Sequence, residues 1–190
     1  MNQKLFMVIM GATPEGRRTE QHDVFFGIAP ALKDLVPAMK EAWPEAKGRI
    51  HIDSWREVTL VDGFTIEVME RKDLPEYTLQ ERVFFLNLGG YKPGDMEEYH
   101  YKMLVVAPDA GKAVQQGKST AFYQHTGFSG ATAHIDDKYG IDVDDVYQIE
   151  DILPGSMREK YQLRLQPAPS NHPQDELHIG YLKLDKLLKG

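Results

Sequence analysis

The sequence contains no cysteine. That excludes a disulfide framework and any thiolate metal site, and it agrees with a reducing compartment. There is no excess of positive charge: 22 Lys and Arg stand against 29 Asp and Glu, for a formal net charge of −7. Holding a nucleic-acid backbone takes several clustered cationic contacts, and no such cluster occurs, so nucleic acid is not expected as a partner. No apolar run approaches the roughly 20 residues of a membrane span. The run KLFMVIM at residues 4–10 is too short and lacks a small-residue cleavage site. It reads as a first strand, and the chain reads as cytoplasmic with no membrane partner. Also absent are a nucleophile elbow, a dinucleotide-binding glycine fingerprint and a His-Glu-x-x-His helix.

What is present is a stretch that occurs twice. GATPEGRRTEQHDVFFGIAP at residues 11–30 returns as GGYKPGDMEEYHYKMLVVAP at residues 89–108. A constant offset of 78 takes Gly11 to Gly89, Gly16 to Gly94, Glu20 to Glu98, His22 to His100 and Ala29-Pro30 to Ala107-Pro108, and it also takes Phe6 to Phe84. At a longer offset, 83, His51-Ile52-Asp53 meets His134-Ile135-Asp136. The 190 residues allow two small fused modules.

Within the first module, strands are expected over Leu5–Met10 and Thr19–Ile28. A helix carrying Leu32, Leu35, Val36, Met39 and Trp43 follows, kinked or split at Pro37 and ended by Pro44. Arg49–Val58 is a third strand, with Ile50, Ile52 and Val58 on one face and His51, Asp53 and Trp55 on the other. Asp62-Gly63 signals a hairpin turn into a fourth strand, Phe64–Met69. The second module starts at Val83, and its helix starts at Asp109, a good cap, and runs to near His125. After Asp144-Asp145 the pattern turns helical rather than repeating the fourth strand. The fold expected is α+β: two tandem ββαββ-like repeats with pseudo-twofold symmetry, at 1–70 and 81–154, joined by a linker at 71–80. A C-terminal β extension, 155–190, covers a sheet edge that bare repeats leave open.

The motifs resemble a bacterial family catalogued as domain of unknown function 1543, whose members carry one or two copies of a short module. The residues concerned are Thr19-Glu20-Gln21-His22-Asp23-Val24-Phe25-Phe26-Gly27, His51-Ile52-Asp53-Ser54-Trp55-Arg56-Glu57 and Asp62-Gly63. In the second half they are Leu88-Gly89-Gly90-Tyr91, Glu97-Glu98-Tyr99-His100-Tyr101-Lys102 and His134-Ile135-Asp136-Asp137-Lys138-Tyr139-Gly140. The resemblance implies no activity, substrate or cofactor.

The candidate polar site is Glu20-x-His22 with His51-x-Asp53, and its copy Glu98-x-His100 with His134-x-Asp136. Residues two apart on a strand share a face, so each module presents two imidazoles and two carboxylates. Such a set suits zinc, manganese or non-haem iron, and equally general acid/base work. Alternation along the strands, however, puts the first pair on an apolar face and the second on a polar one. With nothing in the sequence to bring the faces together, no metal, cofactor or catalytic residue is assigned. A buried Glu–His hydrogen bond pinning a turn is the simpler account.

Gly11 to Arg18 mimics a phosphate loop without its Lys-Ser/Thr end or a following helix, which leaves only anion binding by Arg17 or Arg18. The acidic run from Asp136 to Asp145 fails the EF-hand pattern and reads as caps and solvated loop. The function expected is a non-enzymatic binding module for a small molecule or protein, with homo-oligomerisation compatible. The alternative is a small hydrolase or isomerase using the Glu/His and His/Asp pairs, with or without a metal.

Overall fold

A computed structural model describes residues 2–73, 80–91, 94, 96–119 and 142–189. Among the described residues ten strands occur: β1 (Lys4–Ala12), β2 (Gln21–Ala29), β3 (His51–Glu57), β4 (Leu60–Val61), β5 (Phe64–Glu70), β6 (Arg82–Tyr91), β7 (Glu98–Ala107), β8 (Asp142–Gln148), β9 (Tyr161–Pro167) and β10 (His178–Lys183). Two longer helices are α1 (Val36–Ala42) and α2 (Ala110–Lys118). The strands form three antiparallel sheets, ordered β10-β3-β1-β2, β4-β5-β9 and β7-β6-β8. The fold is thus α+β. No helix among the described residues is long and apolar enough to cross a membrane. The chain divides into two compact units, one made of 1–78 with 152–190 and the other of 79–151.

In the first unit, β1 is an inner strand buried on both faces, which is why its sequence is a near-continuous apolar run. Its even residues Phe6, Val8, Met10 and Ala12 pack with Leu35, Val36 and Met39 in one core. Pro37 divides the helical stretch as its missing N–H demands: a 3₁₀ turn over Leu32–Leu35, then α1. Asp62 and Gly63 both take positive φ, 49° and 77°, the type I′ geometry of the β4–β5 hairpin.

The tail serves two sheets of this unit. β9 pairs with β5, and β10 covers the outer edge of β3. The loop between β9 and β10 is held by Asp175, whose side chain is 2% exposed. Its Oδ1 accepts hydrogen bonds from the Thr59 N–H at 3.0 Å and the Thr59 hydroxyl at 2.7 Å, and Arg56 Nη1 lies 3.6 Å from Oδ2. Asp175→Ala would strip these half-buried donors of their acceptor. A loss of about 2–4 kcal/mol in stability is expected by denaturant unfolding. Asp175→Asn, which keeps an acceptor oxygen, should cost clearly less; equal losses for the two would contradict this account.

In the second unit, β6 and β7 pair as β1 and β2 do, and Phe84, Leu86 and Leu88 form a core with Val105 and Ala113. Asp109 caps α2, accepting from the Lys112 N–H at 2.8 Å. Two expectations are corrected here. Asp142–Gln148 is a strand, not solvated loop and helix start, because its backbone completes the free edge of β6; helix begins only at Ile149. The strand standing to β6 as β3 stands to β1 is therefore β8. Asp142 and Asp144 hold the register positions on β6 that His51 and Asp53 hold on β1. The second helix, expected to run to near His125, ends at Lys118. His134 and Asp136 lie outside the described residues.

Candidate functional site

Gly11 is the hinge of the geometry. It lies on β1 opposite His22 of β2 on one side and opposite His51 of β3 on the other. Directly paired residues in antiparallel strands project to one face, so both imidazoles rise on either side of Gly11. Glu20, two residues before His22, reaches the same place from the start of β2.

Asp53 arrives by a β-bulge. Ile9 pairs with Ser54 and Met10 with Ile52, which leaves Asp53 as the extra residue without a partner on β1. The bulge also corrects the expected facing. Trp55, predicted beside His51 and Asp53, is switched to the opposite side, where it packs on Phe6 at 6.0 Å between ring centroids. Strict alternation failed because one inserted residue flips every later side chain. Separation of the two residue pairs onto different faces is likewise corrected: all four side chains converge on one face.

The contacts form a closed circuit. His51 Nε2 lies 3.1 Å from Glu20 Oε1 and 3.2 Å from Asp53 Oδ1. His22 Nε2 lies 3.2 Å from Asp53 Oδ2 and 3.7 Å from Glu20 Oε2. One imidazole nitrogen carries at most one hydrogen, so it makes at most one full-strength hydrogen bond to the two carboxylates beside it. His51 is 7% exposed, yet its Nε2 and the buried Asp53 Oδ2 make no hydrogen bond despite this proximity. Buried polar atoms left in this way cost free energy unless something satisfies them. A divalent cation does so for nitrogen and oxygen together. Ligand distances of about 2.0–2.2 Å around a tetrahedral ion put donor atoms about 3.3–3.6 Å apart; the four contacts, at 3.1, 3.2, 3.2 and 3.7 Å, lie just to either side of that range.

Burial grades across the site. His51 is enclosed, with the Tyr181 ring of β10 at 4.4 Å between centroids. Asp53 is 31% exposed at its side chain, and Glu20 and His22 are each 45% exposed, so the site has an enclosed side and a solvent side. Gly11 makes the approach feasible: a methyl group in its place would overlap His51 Nε2 and stand 2.8 Å from Asp53 Oδ2. Glycine inside a strand commonly marks such a close approach. The repeated glycines were visible in the sequence, but their purpose was not. Nor was the contact of the tail with His51 through Tyr181.

In the second unit Glu98, His100 and Asp144 lie together. His100 Nε2 lies 3.3 Å from Asp144 Oδ2 and 4.0 Å from Glu98 Oε2. Arg17 lines an open groove of about 460 Å³ with Pro14, Glu15, Gln21, Trp43, Glu45 and Lys47; Arg18 is not among its lining residues. The Lys47 ammonium is paired with Glu15, so the groove carries both signs of charge.

Residues 17–68 match the family model described as Domain of Unknown Function (DUF1543). The resemblance to that family is thereby shown over a segment that includes Glu20, His22, His51 and Asp53. None of the curated proteins matches the chain. Among solved structures, the chain is similar to a crystal structure of a protein Il1583 from Idiomarina loihiensis, with a TM-score of 0.63 and 22% identity over 96% of this chain and 98% of that one. At that identity the likeness is one of fold.

Proposed function

We propose that this protein is a cytoplasmic binding protein whose ligand is a divalent transition-metal ion, held in the first unit by Glu20, His22, His51 and Asp53. The observation that carries the reading is that two buried atoms without a hydrogen bond, His51 Nε2 and Asp53 Oδ2, belong to a circuit of two imidazoles and two carboxylates. Two nitrogens and two carboxylate oxygens match zinc in softness and number. Four protein donors complete a tetrahedral ion and leave no position for substrate, which supports binding rather than catalysis. The half-exposed Glu20 and His22 favour a second reading, metal-assisted hydrolysis. That reading needs an ion of higher coordination number, such as manganese or iron, whose remaining positions hold water on the solvent side.

The same reading takes the two units as descendants of one duplicated module. It is supported by Gly11 and Gly89, by His22 and His100, and by bulges at equivalent places, between Ile9 and Met10 and between Asn87 and Leu88.

The test is a titration of zinc and of manganese into chelator-stripped protein made without a histidine tag. Zinc at about 100 times Kd is expected to add about 2.7 kcal/mol of stability, a rise in Tm of roughly 5–10 °C. The midpoint should fall back as the solution is acidified, because protons compete with the ion for imidazole nitrogen. Tighter manganese than zinc binding would move the choice to the hydrolytic reading. No heat and no Tm change with either ion would refute both.

A further inference from the structure

We infer that the second unit carries a distinct cation site, Glu98, His100 and Asp144, tuned to a harder ion than the first, such as manganese or magnesium. The inference rests on the metal reading of the first unit and extends it. Glu98, His100 and Asp144 each offer one ligand atom, and these atoms lie within 4.8 Å of one another.

The scaffold is the same at three points. Gly89 pairs with His100 on one side and with Asp142 on the other, as Gly11 pairs with His22 and His51. Asp144 is the bulge residue between the pairs Asn87–Asp145 and Leu88–Val143, as Asp53 is between Ile9–Ser54 and Met10–Ile52. A methyl group on Gly89 would overlap Asp144 Oδ2 and stand 2.9 Å from Glu98 Oε1, so this glycine too is the floor beneath a cluster of donors.

The difference is chemical. At the register position where β3 has His51, β8 has Asp142. The second, buried imidazole of the first site thus has no counterpart among the described donors. The described donors are two carboxylates and one imidazole, exposed at their side chains much as Glu20, His22 and Asp53 are. Oxygen-rich donor sets favour hard ions that keep part of their water shell, whereas nitrogen-rich ones favour zinc. Two copies of one scaffold would in this way divide two ions between them.

The test counts bound manganese by the loss of the free-ion paramagnetic resonance signal, using the stripped, untagged, full-length chain. Wild type is expected to bind two manganese ions. His22→Ala should leave one, and His22→Ala combined with His100→Ala should weaken that one by at least about ten-fold. Glu98→Gln, nearly isosteric and also half-exposed, should act as His100→Ala does if folding is disturbed by the latter. With zinc at one equivalent, manganese should still bind at one equivalent. A single ion lost with His22→Ala and untouched by His100→Ala would overturn this inference and leave the first site standing. A single ion lost with His100→Ala and untouched by His22→Ala would uphold this site and confine the first to zinc. No bound manganese in wild type overturns this inference, and the zinc titration alone then decides the first site.

Discussion

His22→Ala is expected to lower zinc affinity by about 100-fold or more while leaving the metal-free protein almost as stable as before. The magnitude follows from sharing the roughly 10–16 kcal/mol of a four-ligand structural zinc site among its ligands, which gives about 2.5–4 kcal/mol for each. The small stability effect follows from exposure. The His22 side chain is 45% exposed and makes only ion-pair contacts, to Asp53 at 3.2 Å and to Glu20 at 3.7 Å. Solvent-exposed pairs of that kind are worth about 0–1 kcal/mol. The competing account, in which the cluster simply pins a turn, makes the reverse claim: no zinc binding in wild type and a stability cost in the variant. Calorimetric titration beside denaturant unfolding of both metal-free proteins separates the two. His51→Ala is a poorer probe, since His51 is buried and its removal opens a cavity whatever its role.

Gly11→Ala is expected to abolish zinc binding through a residue that touches no ion. The added methyl would overlap His51 Nε2 and sit 2.8 Å from His51 Cε1. His51 cannot retreat freely, because the Tyr181 ring lies against it. The imidazole must therefore tilt, and the nitrogen leaves the point where it meets Glu20 and Asp53. Overpacking of this kind costs about 1–3 kcal/mol, so the fold should survive at reduced Tm. Gly89→Ala is the matched control: it should disturb the second unit and leave first-site zinc affinity unchanged. Wild-type affinity in Gly11→Ala would mean that the imidazole lies elsewhere when the ion is bound.

Most of the first unit was legible because its signals are local. The apolar run of β1, Pro37 in the helical stretch and Asp62-Gly63 in the hairpin each act through a few neighbouring residues, and each appears where local chemistry puts it. The site was legible as a list and not as a place. Glu20, His22, His51 and Asp53 could all be named, but their convergence depends on β1 lying between β2 and β3 and on the bulge at Asp53. Neither is a local property: one is a pairing between distant segments, and the other is a single inserted residue that alternation cannot foresee. A second bulge, at Asp144, hid β8, since Asp144 interrupts the apolar period of Val143 and Val146 and makes a strand look like an acidic loop. The tail was expected on a sheet edge, but its two strands join two different sheets, a matter of long-range pairing again.

The most direct test of the account is X-ray absorption at the zinc edge on untagged protein loaded with one equivalent of zinc. The prediction is a four-coordinate ion with two imidazole nitrogens and two carboxylate oxygens at about 2.0–2.2 Å, and a single-imidazole spectrum in His22→Ala. A hexa-aqua spectrum, or one unchanged by His22→Ala, would contradict it.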